Sequence, residues 1–271
     1  MSKQSLAIPL GILIVLIFVV AWVMPRKEWA WVLVAGLLFV FMAVLGQGIC
    51  GRPLGILITE QNVMSLARFQ AVLWTLLVIS AYCVIALARI HYLARGDNIP
   101  PGFEPLNIEL NTQLLGLLGI STSALVLSPL IAATKKSKEP DKTDPQVKSA
   151  DKTAVGDQSA AASASSGKAE GILFKNTKVM DARFTDIFEG DELANNNHVD
   201  LGKVQMFYFT VIVALTYAVM LWTMMSAKDT KLYDAAFAFP GFSQYMVALL
   251  GISNAGYLAN KGVDHTKKAD Q

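Results

Sequence analysis

Six stretches of this chain carry no charged residue, and their lengths leave few folds open. They cover residues 6–24, 29–50, 69–88, 110–134, 204–227 and 235–260, between 19 and 26 residues each. An α-helix of about 20 apolar residues crosses the roughly 30 Å of bilayer hydrocarbon. Inside lipid every backbone N–H and C=O must find its partner within the segment, which selects helices. The pattern predicts an all-α fold, a polytopic membrane helix bundle with six transmembrane helices. The chain is 54% hydrophobic over 271 residues, more than the polar surface of a soluble domain permits. The first run follows Lys3 as a signal peptide would, but Val23-Met24-Pro25-Arg26 is no small-residue cleavage site, so the run reads as an uncleaved anchor.

The chain also repeats itself. Asn62-Val-Met-Ser65-Leu66-Ala-Arg68-Phe-Gln70 returns as Asn197-His-Val-Asp200-Leu201-Gly-Lys203-Val-Gln205, 135 positions later. Leu117-Leu118-Gly119-Ile120-Ser121 returns as Leu249-Leu250-Gly251-Ile252-Ser253, 132 later, and Pro101-Gly102-Phe103 as Pro240-Gly241-Phe242. The order predicts an internal parallel duplication of a two-helix unit. Two spans per copy keep both copies in one orientation, with a pseudo-two-fold axis along the membrane normal. The expected layout is an N-terminal transmembrane hairpin (1–50), membrane repeat 1 (51–133), a disordered cytoplasmic tether (134–171), a cytoplasmic segment with membrane repeat 2 (172–260) and a C-terminal tail (261–271). The tether is expected from its Lys, Ala, Ser and Asp content and its lack of apolar residues. The stretch 172–199 differs, since Ile172, Leu173, Phe174, Phe184, Ile187 and Phe188 suit a small ordered segment.

Each motif has a structural and a functional reading. Ser65 and Asp200 are good helix N-caps, and Arg68 and Lys203 can snorkel to the interface. The functional reading makes Asn62, Arg68, Gln70, Asn197, Asp200, Lys203 and Gln205 a cytoplasmic docking face. Gly116, Gly119 and Ser123 map onto Ala248, Gly251 and Ala255, a small-residue stripe expected to pack helices closely in lipid rather than to line a pore. Thr75 and Tyr82, with their counterparts Thr210 and Tyr217, are seven residues apart on one helical face. They read either as interhelical hydrogen bonds or as a polar track for an ion or small solute.

No catalytic pattern stands out. His91, His198 and His265 have no ligand spacing to a Cys or another His, and no phosphate-binding or nucleophile motif occurs. Cys50 and Cys83 read as packing residues. The acids Asp181, Asp186, Glu189, Asp191 and Glu192 read as a solvated face. No enzyme, cofactor or metal is expected, and no ionisable group deep in a span suggests a proton-coupled carrier. Lys and Arg outside the long loop divide evenly, so orientation rests on Lys135-Lys136-Lys138 beside a span end; it puts both termini in the cytoplasm.

The stretches Asp200-Leu-Gly-Lys-Val-Gln-Met-Phe-Tyr-Phe-Thr210 and Leu250-Gly-Ile-Ser-Asn-Ala-Gly-Tyr257 resemble those of bacterial multi-spanning inner-membrane proteins with a duplicated two-helix unit. The resemblance covers roughly residues 50–260 without the tether. It implies a bacterial cytoplasmic-membrane location and carries no activity. The function expected is a non-enzymatic membrane scaffold or anchor docking a cytoplasmic partner. A channel or facilitator along the pseudo-axis is the alternative. The bilayer, a cytoplasmic protein and further copies of the chain are the partners considered; nucleic acid is not among them.

Overall fold

The structure, a computed structural model, describes residues 3–96, 99–141, 167–227 and 232–266. It is mostly helical. Its long helices are α1 (Lys3–Val23), α2 (Lys27–Cys50), α3 (Leu66–Arg95), α4 (Thr112–Lys136), α5 (Leu201–Ser226) and α6 (Gln244–Gly262). Two short strands, β1 (Gly167–Glu170) and β2 (Leu173–Asn176), pair antiparallel. Five of the helices, α1 to α5, are long and apolar enough to cross a membrane, which is compatible with a multi-pass membrane protein. The sixth differs from expectation. The uncharged run begins at residue 235, but Pro240-Gly241 interrupts it and the helix starts only at Gln244. Asn254, Asn260 and Lys261 further lower its apolar character.

The chain divides into two compact units. The first comprises Met1–Ile56, Ala71–Gly119 and Thr210–Ala248; the second comprises Leu57–Gln70, Ile120–Phe209 and Leu249–Gln271.

In the first unit α1 and α2 form a hairpin whose turn is fixed locally. The Arg26 guanidinium donates to the Glu28 carboxylate at 2.8 Å, and Lys27 Nζ donates to the Met24 carbonyl at 2.8 Å. Gly48 lets the helices approach, since a Cβ there would lie 2.6 Å from the Leu6 side chain. Ile8, Val15, Phe18 and Val23 of α1 stand exposed. In water such a face is a liability; against lipid it is the expected surface.

Arg89 organises the loops of this unit. It is fully buried. Nε donates to the Pro105 carbonyl at 3.1 Å, Nη1 to those of Leu232 (2.9 Å) and Asp234 (2.8 Å), and Nη2 to those of Glu104 (2.9 Å) and Asn107 (3.5 Å). All five N–H donors of the guanidinium are thereby matched. The Phe103 ring covers it at 4.5 Å and the Phe237 ring at 5.6 Å, a desolvated cation–π arrangement. Arg89 is thus an interior tie between two loops. Beside it the Glu109 amide donates to the Phe237 carbonyl and the Phe239 amide to the Glu109 carbonyl, a parallel bridge.

The second unit holds the hairpin β1–β2, short 3-10 turns at Val179–Asp181 and Phe184–Phe188, and the adjoining ends of α3, α4, α5 and α6. Ile172 and Ile187 are fully buried in its core, with Leu66, Leu173, Leu193 and Met206. Phe69, Phe184, Phe188 and Phe207 form an aromatic cluster with centroids 5.0 to 6.4 Å apart. The two-residue hairpin turn begins at Gly171, whose φ of +64° suits glycine. A Cβ there would sit 2.5 Å from the carbonyl oxygens of Lys135 and Lys136, so the turn is seated on the last turn of α4. The ends of the expected tether are therefore structured: residues 134–136 close α4 and 167–170 form β1. Its middle, 142–166, lies outside the described residues.

Arg89→Met should leave five carbonyls without their donor, and unpaired buried acceptors are expensive. The expected outcome is a loss of about 3 kcal/mol or more, typical of breaking a buried polar network, read as a lower melting temperature of the detergent-solubilised chain. Arg89→Lys should recover only part of it, because an ammonium offers three donors.

Candidate functional site

The second unit encloses a cavity of about 450 Å³, within the range of small-ligand sites. Its wall draws on the 59–68 segment, the C-terminal half of α4, β2, the 181–200 segment, the first turn of α5 and the end of α6. Lysines and carboxylates hold these pieces together. Asp191 Oδ1 accepts from Lys203 Nζ at 2.8 Å and Asp191 Oδ2 from Lys261 Nζ at 2.7 Å. Its neighbour Glu192 is 1% exposed. Glu192 Oε1 accepts from Lys135 Nζ at 2.5 Å, and Oε2 from the amides of His265 (2.9 Å) and Thr266 (2.6 Å). Two consecutive acids thus gather the end of α4, the start of α5 and the end of α6. The expectation of a solvated acidic face fails at these two residues.

The electrostatics follow from that packing. Burial pushes the Asp191 carboxyl up, but Lys203 and Lys261 outweigh it and hold the group well below the usual carboxylate range. Asp186 behaves oppositely. Burial raises its carboxyl, and the amides of Arg183 and Met64 on Oδ2 (2.9 and 3.1 Å) offset this only in part. Exposed Glu60 is drawn down by its hydrogen bond from Lys136.

The structure separates the docking residues expected from sequence. Arg68, Asn197, Asp200 and Lys203 line the cavity. Asn62 instead forms a reciprocal pair: its Nδ2 donates to the Asn176 carbonyl (2.8 Å) and Asn176 Nδ2 donates to its carbonyl (2.9 Å). Asn62 reaches this position with φ at +57°, which Asn tolerates better than most residues. Gln70 is buried and Gln205 exposed.

The two motif copies share local contacts. Arg68 donates to the Ile58 carbonyl at 2.6 Å, and Ile58 bridges Met64; Lys203 donates to the Glu189 carbonyl, and Glu189 bridges Val199. Met64 and Val199 each directly precede the cap residue. Asp200 Oδ1 accepts the Lys203 amide and Oδ2 the Asn260 side chain. At the second helices, Asn111 Oδ1 accepts the Gln113 amide and Ser243 Oγ the Tyr245 amide; Asn111 and Ser243 are themselves 132 positions apart, and neither cap was singled out from sequence.

The small-residue stripe is mostly open. Gly116, Gly119, Ala248 and Ala255 are exposed, and a Cβ at Gly119 would meet nothing within 4 Å. Closer approach occurs where Gly116 faces Val247 and Gly251 faces Ile120; a Cβ at either glycine would lie 3.5 Å from the facing side chain. Asn254 supplies the polar contact, its Nδ2 donating to the Ile120 carbonyl and to Ser123 Oγ. The four polar-track residues belong to the first unit. Thr75 bonds back to the Ala71 carbonyl at 2.7 Å. Tyr217 is fully buried and stacks on Phe242 at 4.6 Å; Tyr82 stacks on Phe239 at 6.5 Å; Thr210 is fully buried. None of the four lines the cavity.

The sign of the pH dependence follows from Asp191. A carboxyl held below its unfolded value stabilises the fold above that value, near 4, and the contribution disappears as pH falls through the folded pKa. Its stabilisation should hold from pH 7 to about pH 5 and decline only in stronger acid. Asp191→Asn leaves Lys203 and Lys261 without their counter-charge in a largely buried setting, which costs about 3 kcal/mol for such pairs. The expected readout is early proteolytic cleavage within 172–200 and a lower melting temperature at pH 7.

No protein-family model, curated protein or solved structure matches this chain.

Proposed function

We propose that the chain is a non-enzymatic membrane scaffold: its apolar helices anchor it, and the polar part of the second unit docks a partner. The observation that carries this reading is the preformed cavity, whose wall includes Arg68, Asn197, Asp200 and Lys203 from both copies of the repeated motif. The ordering of 172–200 around buried Ile172 and Ile187 adds support, as does the apolar exposure of Phe184, Val199 and Leu201. A rigid surface binds with a smaller ordering penalty than a flexible one.

The matching contacts of Arg68 and Lys203, and the matching caps Asn111 and Ser243, support a duplicated two-helix unit. With α6 as a sixth span, both copies run parallel and both termini share a side. The basic residues Lys135, Lys136 and Lys138 beside α4 favour the cytoplasm for that side, in a bacterial inner membrane. Homo-oligomerisation through the open small-residue face of α4 and α6 is compatible with the same arrangement.

The test is a mild-detergent pull-down from native membranes. A soluble protein should co-purify with the native chain in fixed ratio. Asn197→Arg and Phe184→Asp, both at exposed positions, should reduce its recovery at least about tenfold, as substitutions at binding hot spots do, while membrane insertion is unchanged. Equal recovery with both variants would refute the docking role.

A further inference from the structure

We propose that the membrane-level part of this cavity holds one acyl chain of an anionic phospholipid, with the lipid phosphate at Lys136. The proposal rests on the anchoring half of the scaffold reading, α4 as a membrane span, and needs no protein partner.

The cavity follows one face of α4. Leu125, Ser128, Pro129, Ala132, Ala133 and Lys136 line it, and steps of three and four keep them on one side of the helix. From Leu125 to Lys136 that face runs about 16 Å, at 1.5 Å per residue. Lys135 and Lys136 end the uncharged run and mark the interface of the span. The lower end of the cavity therefore stands about half-way into hydrocarbon some 30 Å thick. Met64, Leu66 and Ala67 contribute further apolar wall.

The lower part is also open to the side. Leu125, Pro129 and Ala133, each four residues from the next, are exposed as well as lining. Their neighbours Val126 and Leu130 are exposed too, the surface expected to meet lipid. A lipid chain can thus enter from the bilayer without crossing water. The small side chains of Ser128, Ala132 and Ala133 leave the room it needs, and the second chain stays in the bilayer.

The upper end is cationic. Lys136 Nζ lies 2.9 Å from the Glu60 carboxylate, which also sits in the field of Arg68 and Lys175. The Glu60 side chain is 83% exposed, so a surface ion pair of little net value holds it there. Three basic groups about one exposed carboxylate make a position for an anion. A phosphodiester exchanges for Glu60 at that position while its chain runs down α4. A choline headgroup would bring its own cation beside Arg68 and Lys175, which favours the anionic lipid.

The experiment washes membranes with alkaline carbonate to establish anchoring, then purifies the full chain in mild detergent. It is titrated with phosphatidylglycerol and phosphatidylcholine of identical chains, and bound lipid is read by native mass spectrometry. One phosphatidylglycerol should be retained saturably, about fivefold more tightly than phosphatidylcholine, the effect of one basic residue on an anionic lipid. Lys136→Gln should erase that preference. Glu60→Gln, which removes the competing carboxylate, should increase it. Ala132→Trp should fill the groove and weaken binding of both lipids about tenfold or more. Ala133→Phe should act likewise from an exposed position, where added bulk does not stress the core. Leu127→Phe, exposed on the other side of α4, should change nothing. Retention indifferent to both Ala132→Trp and Ala133→Phe would overturn the proposal, as would equal binding of the two phospholipids by the native chain, or binding of oleate with neither phospholipid retained. Selective lipid retention with no captured protein refutes the docking reading alone. A captured protein without selective lipid retention refutes this inference alone, and loss of the chain in the carbonate wash refutes the anchoring itself.

Discussion

The pairing of two adjacent carboxylates with three lysines is the interaction on which the second unit depends. Asp191 takes Lys203 and Lys261, and Glu192 takes Lys135. These lysines belong to α5, α6 and α4, so one dipeptide fixes three helix ends. Buried ion pairs add little net stability compared with apolar packing. Their value here is geometric, since each lysine is held by its carboxylate and by a second oxygen, for Lys261 the Tyr257 hydroxyl. Lys135 also donates to Val263, and Lys203 to Glu189. The cavity is the space left between pieces held in this way.

Much of the helical framework was legible because it is written locally. Uncharged runs marked α2, α4 and α5 to within a few residues, and Asp200 announced α5 as a helix cap. The start of α6 is not legible, because hydropathy does not distinguish a helix from the extended Phe237–Phe239 stretch that pairs with Glu109. The docking motifs are legible as motifs, but Asn62 pairs with Asn176, Gln70 is buried, and neither lines the cavity.

The site itself was hidden for a physical reason. Lys135 and Glu192 are 57 positions apart, and Lys261 and Asp191 are 70 apart. A run of acids has one appearance in sequence whether it is solvated or buried against lysines from elsewhere. Asn176, which pairs with Asn62, sits in a strand of four residues with no motif around it. The small-residue stripe is a clear local pattern that brings Gly116 to Val247 and Gly251 to Ile120 and leaves Gly119, Ala248 and Ala255 uncovered.

The Arg89 tie differs from the lysine pairs in what it asks of its partners. It bonds only to main-chain carbonyls, those of Glu104, Pro105, Asn107, Leu232 and Asp234. Any residue that keeps the backbone path supplies the same oxygen. The two loops can therefore drift in sequence while Arg89 stays fixed, and no second position needs to change in step with it. In a mutational scan it would appear as an isolated intolerant residue surrounded by permissive ones, a signature easily mistaken for an active-site arginine.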